Sequence, residues 1–459
     1  MKPLNPSAST PVTGNSEKEV NQARIIIDQA DWQRKKTTKT SSASKHISTT
    51  GNDSGYESRS TSLSSRSGSS DTGILLTPCS EGSEDSVFWE NSDHLILSEK
   101  ASITKTLGHG ATAIVDLVEQ TDVHGNSEKF ALKRPLTNPR QEAVVESLNR
   151  EAEIMKKVGD HPNIVNCYGF EEVGNHSGLL FEFIDGQNLQ TLTITLVHQL
   201  KTGIIAHDEF FNAYAHLQEQ QLSALAHLEK QGIVHSDVKP FNCMFDKNTQ
   251  SVKQLDFGQA AVAGESLHFG SEDFAAPDTF KLLKDLNAHI PAKTADDAFA
   301  YGQSLYRVLK ELETGTAASF CHDAELCTFS TSLCSFSTSE RQVRALALSR
   351  AMQRYETVKP DNTYHKAIPN DEKSLEQLSL RVASVIHPNI QDFNTLTQTA
   401  EALKSYLEPM VCLINDLLHP NQSLRVLPSK ALNYQWFEKC IYSPEEAKKT
   451  QVFAVKNRA

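Results

Sequence analysis

The segment His235-Ser236-Asp237-Val238-Lys239-Pro240-Phe241-Asn242, followed by Asp256-Phe257-Gly258, constrains this chain more than any other feature. It sets two aspartates, a lysine and an asparagine in fixed order on two neighbouring stretches. Phosphoryl transfer to a hydroxyl asks for such a set. A carboxylate must orient the nucleophile and accept its proton, which suits Asp237. Oxygen ligands must hold a Mg2+ that bridges phosphates, which suits Asn242 and Asp256. Lys239 can offset charge on the group in transfer.

Upstream, Gly108-His109-Gly110-Ala111-Thr112-Ala113-Ile114-Val115 forms a turn between two β-patterned runs, Ile103 to Leu107 and Ile114 to Val118. Two glycines let the backbone fold closely over nucleotide phosphates, where a Cβ would obstruct. A tight hairpin needing positive φ carries the same letters, so the turn alone does not decide. Phe130-Ala131-Leu132-Lys133 reads as a third strand, with Lys133 in position to hold α- and β-phosphates. Val144 to Val158 reads as a helix bearing Glu151 and Glu153, and the interval to His161-Pro162-Asn163 favours Glu151 as the partner of Lys133. A solvated Lys–Glu pair on neighbouring elements is the plainer alternative.

Further on, Leu179 to Ile184 is extended, and Phe210 to Lys230 is a long helix closing at Gly232, a C-cap. From Thr294 to about Cys440 the pattern is mostly helical. The expected class is therefore α+β, a small β-rich lobe followed by a larger helical one.

These motifs resemble the eukaryotic-type protein-kinase family. The resemblance covers about Leu95 to Cys440 and implies a bilobal protein-kinase fold, ATP and Mg2+ as cofactors, and a protein substrate. It implies an N-lobe and hinge over 95–184, a C-lobe over 185–440 and a C-terminal tail over 441–459. In that family Leu180 to Ile184 is the hinge, with Phe181 as gatekeeper and the backbone of Glu182 and Ile184 holding adenine. Leu107, Gly108, His109, Gly110, Ala111, Thr112, Ala113, Val115, Ala131 and Lys133 would surround the nucleotide. Lys133, Glu151, Asp237 and Lys239 would form the catalytic set, with Asn242 and Asp256 on the metal. Ala276-Pro277-Asp278 stands where the family has A-P-E, and Arg425 matches the arginine that pairs with its acid, here Asp278. Asp297 to Gly302 matches a D-x-x-x-x-G helix. Lys239, and the run Gly270-Ser271 to Ala276-Pro277, favour Ser/Thr over Tyr specificity, with Ser271 bonded near Asp237 and Lys239.

Three departures matter. Ser236 replaces the arginine that normally meets a phosphate on the activation segment. That segment, Asp256 to Asp278, offers only Ser266 and Ser271 as hydroxyls. Activity without activation-loop phosphorylation, the non-RD type, is the expectation. Ala113 replaces a third glycine, a mild change. The stretch from about 311 to 400 departs most, as a partner site or latch, or as a tolerated surface insertion. Two rivals stand beside a kinase: a pseudokinase or ATP-binding scaffold, and a small-molecule phosphotransferase sharing H-x-D-x-x-x-x-N.

The remaining sequence is of another kind. Across 459 residues the hydrophobic content is 38%, diluted by residues 1–94, a Ser/Thr-rich leader expected to be disordered. Within it, Glu19 to Gln33 has helical apolar spacing, and Asp53-Ser54-Gly55-Tyr56-Glu57-Ser58 resembles a phosphodegron read by a ubiquitin ligase. The leader and the H-S-D variant are similar to bacterial effector kinases, implying a secretion chaperone as partner, export and action in a host cytoplasm. A eukaryotic cytosolic kinase with a regulatory tail explains the same features. A net charge of −12 argues against nucleic acid. No apolar run reaches the ~20 residues that span a bilayer, and the chain start lacks a signal-peptide core, which points to a cytoplasmic site. Eight cysteines without C-x-x-C spacing read as free thiols, although Cys321, Cys327, Cys334 and His322 invite a metal reading.

Overall fold

The β-patterned runs of the first lobe build one five-stranded antiparallel sheet, with Phe130 and Leu132 of the third strand buried on one face. The computed structural model describes residues 97–98, 100–110, 113–121, 124–136, 141–267, 270–271, 274–276, 290–315, 367–443 and 452–453. Strands β1 (Ser102–His109), β2 (Ala113–Thr121), β3 (Ser127–Pro135), β4 (Cys167–Val173) and β5 (His176–Glu182) lie in the order β1-β2-β3-β5-β4. Val118, Phe130, Leu132, Val173 and Leu180 share one face as a closed apolar cluster, with Tyr168 edge-on to Phe130 at 5.8 Å. Ala131, Leu179 and Phe181 fall on the opposite face and join the main core. Lys133 has the parity of Ala131, so the pleat sends it to that second face.

Helix α1 (Gln141–Val158) starts three residues before the Val144 expected from its apolar spacing. Leu148, Glu151, Ala152, Met155 and Val158 recur at i, i+3, i+4, i+7 and i+10 and are all buried. Glu151 thus rides on the core-facing stripe, whereas Glu153 is exposed. The strand expected over 179–184 runs as β5 instead and stops before Phe183.

The second lobe is helical around short strands. Strand β6 (Gly186–Asn188) leads into α2 (Leu189–Lys201) and α3 (His207–Gln231). Gly232 closes α3 at φ 68°, a left-handed cap that a side chain would strain. Strands β7 (Ile233–Val234), β8 (Cys243–Asp246), β9 (Ser251–Gln254) and β10 (Ala261–Val262) follow, paired as β10-β7 and β6-β8-β9. Helices α4 (Thr294–Thr314), α5 (Glu372–Ile386) and α6 (Phe393–Leu417), with short α7 (Pro428–Ala431) and α8 (Gln435–Lys439), pack Tyr214, Tyr301 and Trp436 into one core. The fold is the bilobal α+β arrangement expected.

Within the stretch 311–400, the described helix α5 packs into the lobe. Leu375, Leu378, Val382 and Ile386 of α5 are buried, and Arg381 of α5 meets Glu313 at 2.9 Å. Helical spacing of these apolar residues makes α5 part of the lobe's core. The leader, the Cys321–Cys334 cluster, Asp53–Ser58 and Glu19–Gln33 lie outside the described residues. Among the described residues no helix is long and apolar enough to cross a membrane.

Candidate active site

Lys133 projects from β3 beneath the sheet and meets two carboxylates. Its Nζ lies 2.8 Å from both oxygens of Glu151 and 2.8 Å from Oδ1 of Asp256. Burial works to lower the lysine's pKa, but Asp256 and Glu151 outweigh it and hold the ammonium above its ordinary range. Lys133 in turn holds the Asp256 carboxyl below the usual carboxylate range. The cluster links sheet, α1 and the loop after β9 through one cation. Glu153 takes no part in it.

Three donors converge on the Asp237 carboxylate, two on Oδ2 and one on Oδ1. Lys239 Nζ donates to Oδ2 at 2.7 Å, Asn242 Nδ2 to Oδ2 at 2.9 Å, and the Ser271 amide to Oδ1 at 2.8 Å. Lys239 also reaches Ser271 Oγ at 2.7 Å, so Ser271 closes the cluster from the activation segment. Gly270 is obligatory beside it. A Cβ there would collide with Ser236 O and lie 2.6 Å from Asp237 Oδ1.

The loop that carries Asp237 is held from below. Asp297 of α4 accepts the backbone N–H of His235 at 2.7 Å and of Ser236 at 2.9 Å. Burial pushes the Asp297 carboxyl up to about 7, against the pull of those two amides. His235 packs on the Phe257 ring at 4.9 Å, and burial lowers its pKa. Ser236 and Asp256 both adopt positive φ, 66° and 59°. Such backbone costs about 1–3 kcal/mol per residue and persists only where its surroundings over-determine it. Here Asp297 fixes one and Lys133 the other.

The residues around the cleft leave polar atoms suited to a nucleotide and a hard cation. Asn242 Oδ1 and Asp256 Oδ2 accept no hydrogen bond among the described residues, and the Asp256 side chain is 51% exposed. An oxygen-only pair fits Mg2+ chemistry. Among the described residues no cluster of three His, Cys, Asp or Glu is present, so any metal here would complete its shell with other oxygens. Ile184 is buried, yet its backbone N–H has no hydrogen bond among the described residues, as an adenine acceptor would need. Glu182 is less free: its N–H donates to Asn166 O at 3.1 Å and its carboxylate meets Lys253 at 2.8 Å. Phe181 is buried opposite Ala131.

On the roof, Gly108 has open space where a Cβ would stand, and Val115 pairs with Lys133 across β2 and β3. Gly110 N–H donates to Ala113 O at 2.7 Å, closing the turn. Leu107 is exposed at its edge, and His109 ends β1. Ala111 and Thr112 lie outside the described residues, as do Pro277 and Asp278. Arg425 Nη1 donates to Ala295 O at 2.9 Å, stands 3.8 Å from Asp296 Oδ1 and lies 4.9 Å over the Phe299 ring.

Two residues were not singled out from the sequence. Arg150 Nη2 donates to Gly258 O at 3.1 Å, tying α1 to the Asp256 loop. Asn163 Nδ2 donates to Val252 O at 3.0 Å, tying the loop after α1 to β9. Arg150 adjoins Glu151 in the chain, which is the signal available; nothing local marks Asn163.

A strand lysine gripped by a helix glutamate, facing a loop aspartate wrapped by lysine, asparagine and an activation-segment amide, defines a phosphotransferase of the protein-kinase class. Residues 101–437 match the protein kinase domain family, and the chain belongs to it. It is 32% identical over 129 residues to the protein kinase YpkA of Yersinia pseudotuberculosis, covering 27% of this chain and 18% of that protein. It is 30% identical over 209 residues to a probable myosin light chain kinase of Dictyostelium discoideum, covering 44% and 59%. It is 29% identical over 235 residues to the serine/threonine-protein kinase cds1 of Schizosaccharomyces pombe, covering 48% and 47%. The chain thus spans less than two thirds of the length of each of these relatives.

Proposed function

We propose that this chain is an ATP-dependent protein serine/threonine kinase whose activation segment needs no phosphate. The observation that carries the reading is the Asp237 cluster, in which Lys239, Asn242 and Ser271 N–H converge on one carboxylate. Asp237 would take the proton of a serine or threonine hydroxyl, and Lys239 would neutralise charge on the oxygens in transfer. Asn242 and Asp256 would hold Mg2+, which when bound with ATP shields the charge between phosphates. Lys133, fixed by Glu151, would grip the α- and β-phosphates, and Ile184 N–H would meet adenine. The proposed domain limits are 95–184 for the N-lobe with its hinge and 185–440 for the C-lobe.

Independence from loop phosphorylation rests on how the segment is held. Leu267 packs on Val234, Ala261 and Ala292. Leu267 N donates to Ile290 O at 2.7 Å, Ala292 N to Glu265 O at 2.8 Å, and Ala263 N to Gly232 O at 2.8 Å. An apolar plug and a backbone ladder thus hold residues 261–267, which supports a segment positioned without the arginine–phosphate pair that Ser236 precludes. A complete set of Lys133, Glu151, Asp237, Asn242 and Asp256 speaks for catalysis over a pseudokinase scaffold.

Phosphate incorporation into a generic protein substrate tests the reading, with Asp237→Ala and Lys133→Ala as controls. If neither substitution lowers incorporation, the assignment fails. Ser266→Ala should retain full activity; a folded but inactive Ser266→Ala protein would sink the phosphate-independent part. The similarity to YpkA supports a second, narrower reading, a secreted bacterial effector acting in a host cytoplasm. Export that is unchanged after deletion of residues 1–94 would count against it.

A further inference from the structure

Strand β9 breaks its own pattern. Val252 and Gln254 share its buried face, and both are fully buried. Val252 is what that face calls for, whereas an amide costs free energy there unless every polar atom finds a partner. Gln254 finds them all, and all belong to the catalytic loop or its floor. Its Nε2 donates to Asn242 O at 3.0 Å and lies 2.9 Å from His235 Nε2, and its Oε1 accepts from Cys243 Sγ at 2.9 Å.

The position of these contacts matters more than their number. Leu255 N donates to the same Asn242 carbonyl at 2.8 Å. That carbonyl is therefore gripped by two successive residues, the last of β9 and the one after it, directly before Asp256. Asn242 and Asp256 sit on separate segments, and this double grip cross-links them next to both side chains. The backbone of Gln254 is itself anchored, with its N–H on Asn163 O at 2.8 Å and its C=O accepting from Val165 N at 3.0 Å.

His235 extends the link to Asp237. Its Nδ1 accepts from the Asp237 amide at 3.3 Å, and its Nε2 lies 2.9 Å from Leu255 O. With Nδ1 accepting, Nε2 carries the proton and donates to Leu255 O, so the Gln254 amide gives its hydrogen to Asn242 O and not to the ring. Cys243 S–H, on Oε1, holds the amide in that orientation.

We propose that Gln254 is a positioning residue, which fixes the spacing of Asn242 and Asp256 and the seat of His235 beneath Asp237. The proposal rests on the kinase reading above and adds to it the device that sets the geometry of the metal-binding pair. Gln254 touches no substrate; it acts through the Asn242 carbonyl. A similarly shaped side chain without hydrogen bonds should leave the fold in place and loosen only that pair.

The test compares Gln254→Met, Cys243→Val and Cys243→Ser with the wild type and Asp237→Asn in the full-length chain. It reads kcat, KM for protein substrate, the Mg2+ concentration at half-maximal rate, and thermal unfolding. Gln254→Met should lower kcat and raise the half-saturating Mg2+, each by about tenfold, with KM for protein substrate unmoved, since small misplacements of reacting groups are costly. Cys243→Val, which removes the donor at similar volume, should move both in the same direction by less. Cys243→Ser, which keeps a donor, should follow the wild type. A folded Gln254→Met protein with wild-type kcat and Mg2+ response overturns the inference, while an inactive Asp237→Asn beside it leaves the kinase reading standing. Should Gln254→Met fail to fold, the cysteine pair decides, and matching behaviour of Cys243→Val and Cys243→Ser overturns the inference. A wild type no more active than Asp237→Asn removes the kinase reading, and this inference with it.

Discussion

Lys133 Nζ stands 2.8 Å from Asp256 Oδ1 across the cleft, joining residues 123 positions apart in the chain. Glu151 shares the same ammonium. The two carboxylates have different tasks, because Glu151 is buried and Asp256 is half exposed. Lys133→Met should lower phosphate transfer by at least about 100-fold, since it removes the charge that the proposed kinase function assigns to the phosphates. Glu151→Gln should cost only about tenfold, because Asp256 still tethers the lysine. Steady-state rates for both variants, with circular dichroism to verify folding, check the order. Equal losses would mean that Glu151 does more than steer Lys133.

Gly270 offers a sharper test of the Asp237 cluster. An added Cβ would meet Ser236 O and the Asp237 carboxylate well inside contact distance, and backbone there cannot swing aside as a flexible side chain could. Gly270→Ala should therefore displace the Ser271 amide from Asp237 and cost about 1–3 kcal/mol of stability, as overpacking does. The expected kinetic signature is a fall in kcat with KM for ATP little changed. A change confined to KM for ATP would place the strain elsewhere.

How much of this was legible beforehand follows from the range of each interaction. Lys133, Glu151, Asp237, Asn242 and Asp256 were legible because each lies in a short motif of fixed spacing. Glu151 was preferred over Glu153 on the interval to His161-Pro162-Asn163, and the buried stripe it shares with Leu148 and Met155 agrees. The grip of Asp297 on His235 and Ser236 spans more than 60 positions, and no local pattern reports such a contact. Helix α5 lies in a stretch that reads as helical, but its place in the fold does not follow from spacing, and only packing against α4 and α6 shows Leu375, Val382 and Ile386 to be core. Gln254 was invisible, since an isolated glutamine near a strand end reads as surface.

Leu267 carries the test of the plug. It packs on Val234, Ala261 and Ala292 and donates its N–H to Ile290 O. Leu267→Ala keeps the ladder but removes apolar contact, and partial burial limits the loss to about 1–2 kcal/mol. Amide hydrogen exchange over residues 261–267 should quicken, with a several-fold drop in activity. Unchanged exchange there, with activity intact, would show that the ladder alone suffices.

Asp297 gives a prediction in pH. Its carboxyl titrates at about 7 in the folded chain, against a reference value of 3.8, because burial outweighs the two amides it accepts. Between those values the native state holds a proton that the unfolded state has released. Stability therefore falls as pH rises through this window, by up to about 1.4 kcal/mol per pH unit from this group. The contribution is fullest below 3.8 and is gone once pH passes about 7. Asp297→Asn cannot ionise, keeps one acceptor oxygen, and should lose about 1 kcal/mol from the amide left without a partner. Urea unfolding of both proteins from pH 4.5 to 7.5 isolates the effect. The advantage of the wild type over Asp297→Asn should shrink steadily as pH rises. A gap that stays constant or widens would mean that the two amides, not burial, govern this carboxyl, and that it remains ionised beneath the catalytic loop.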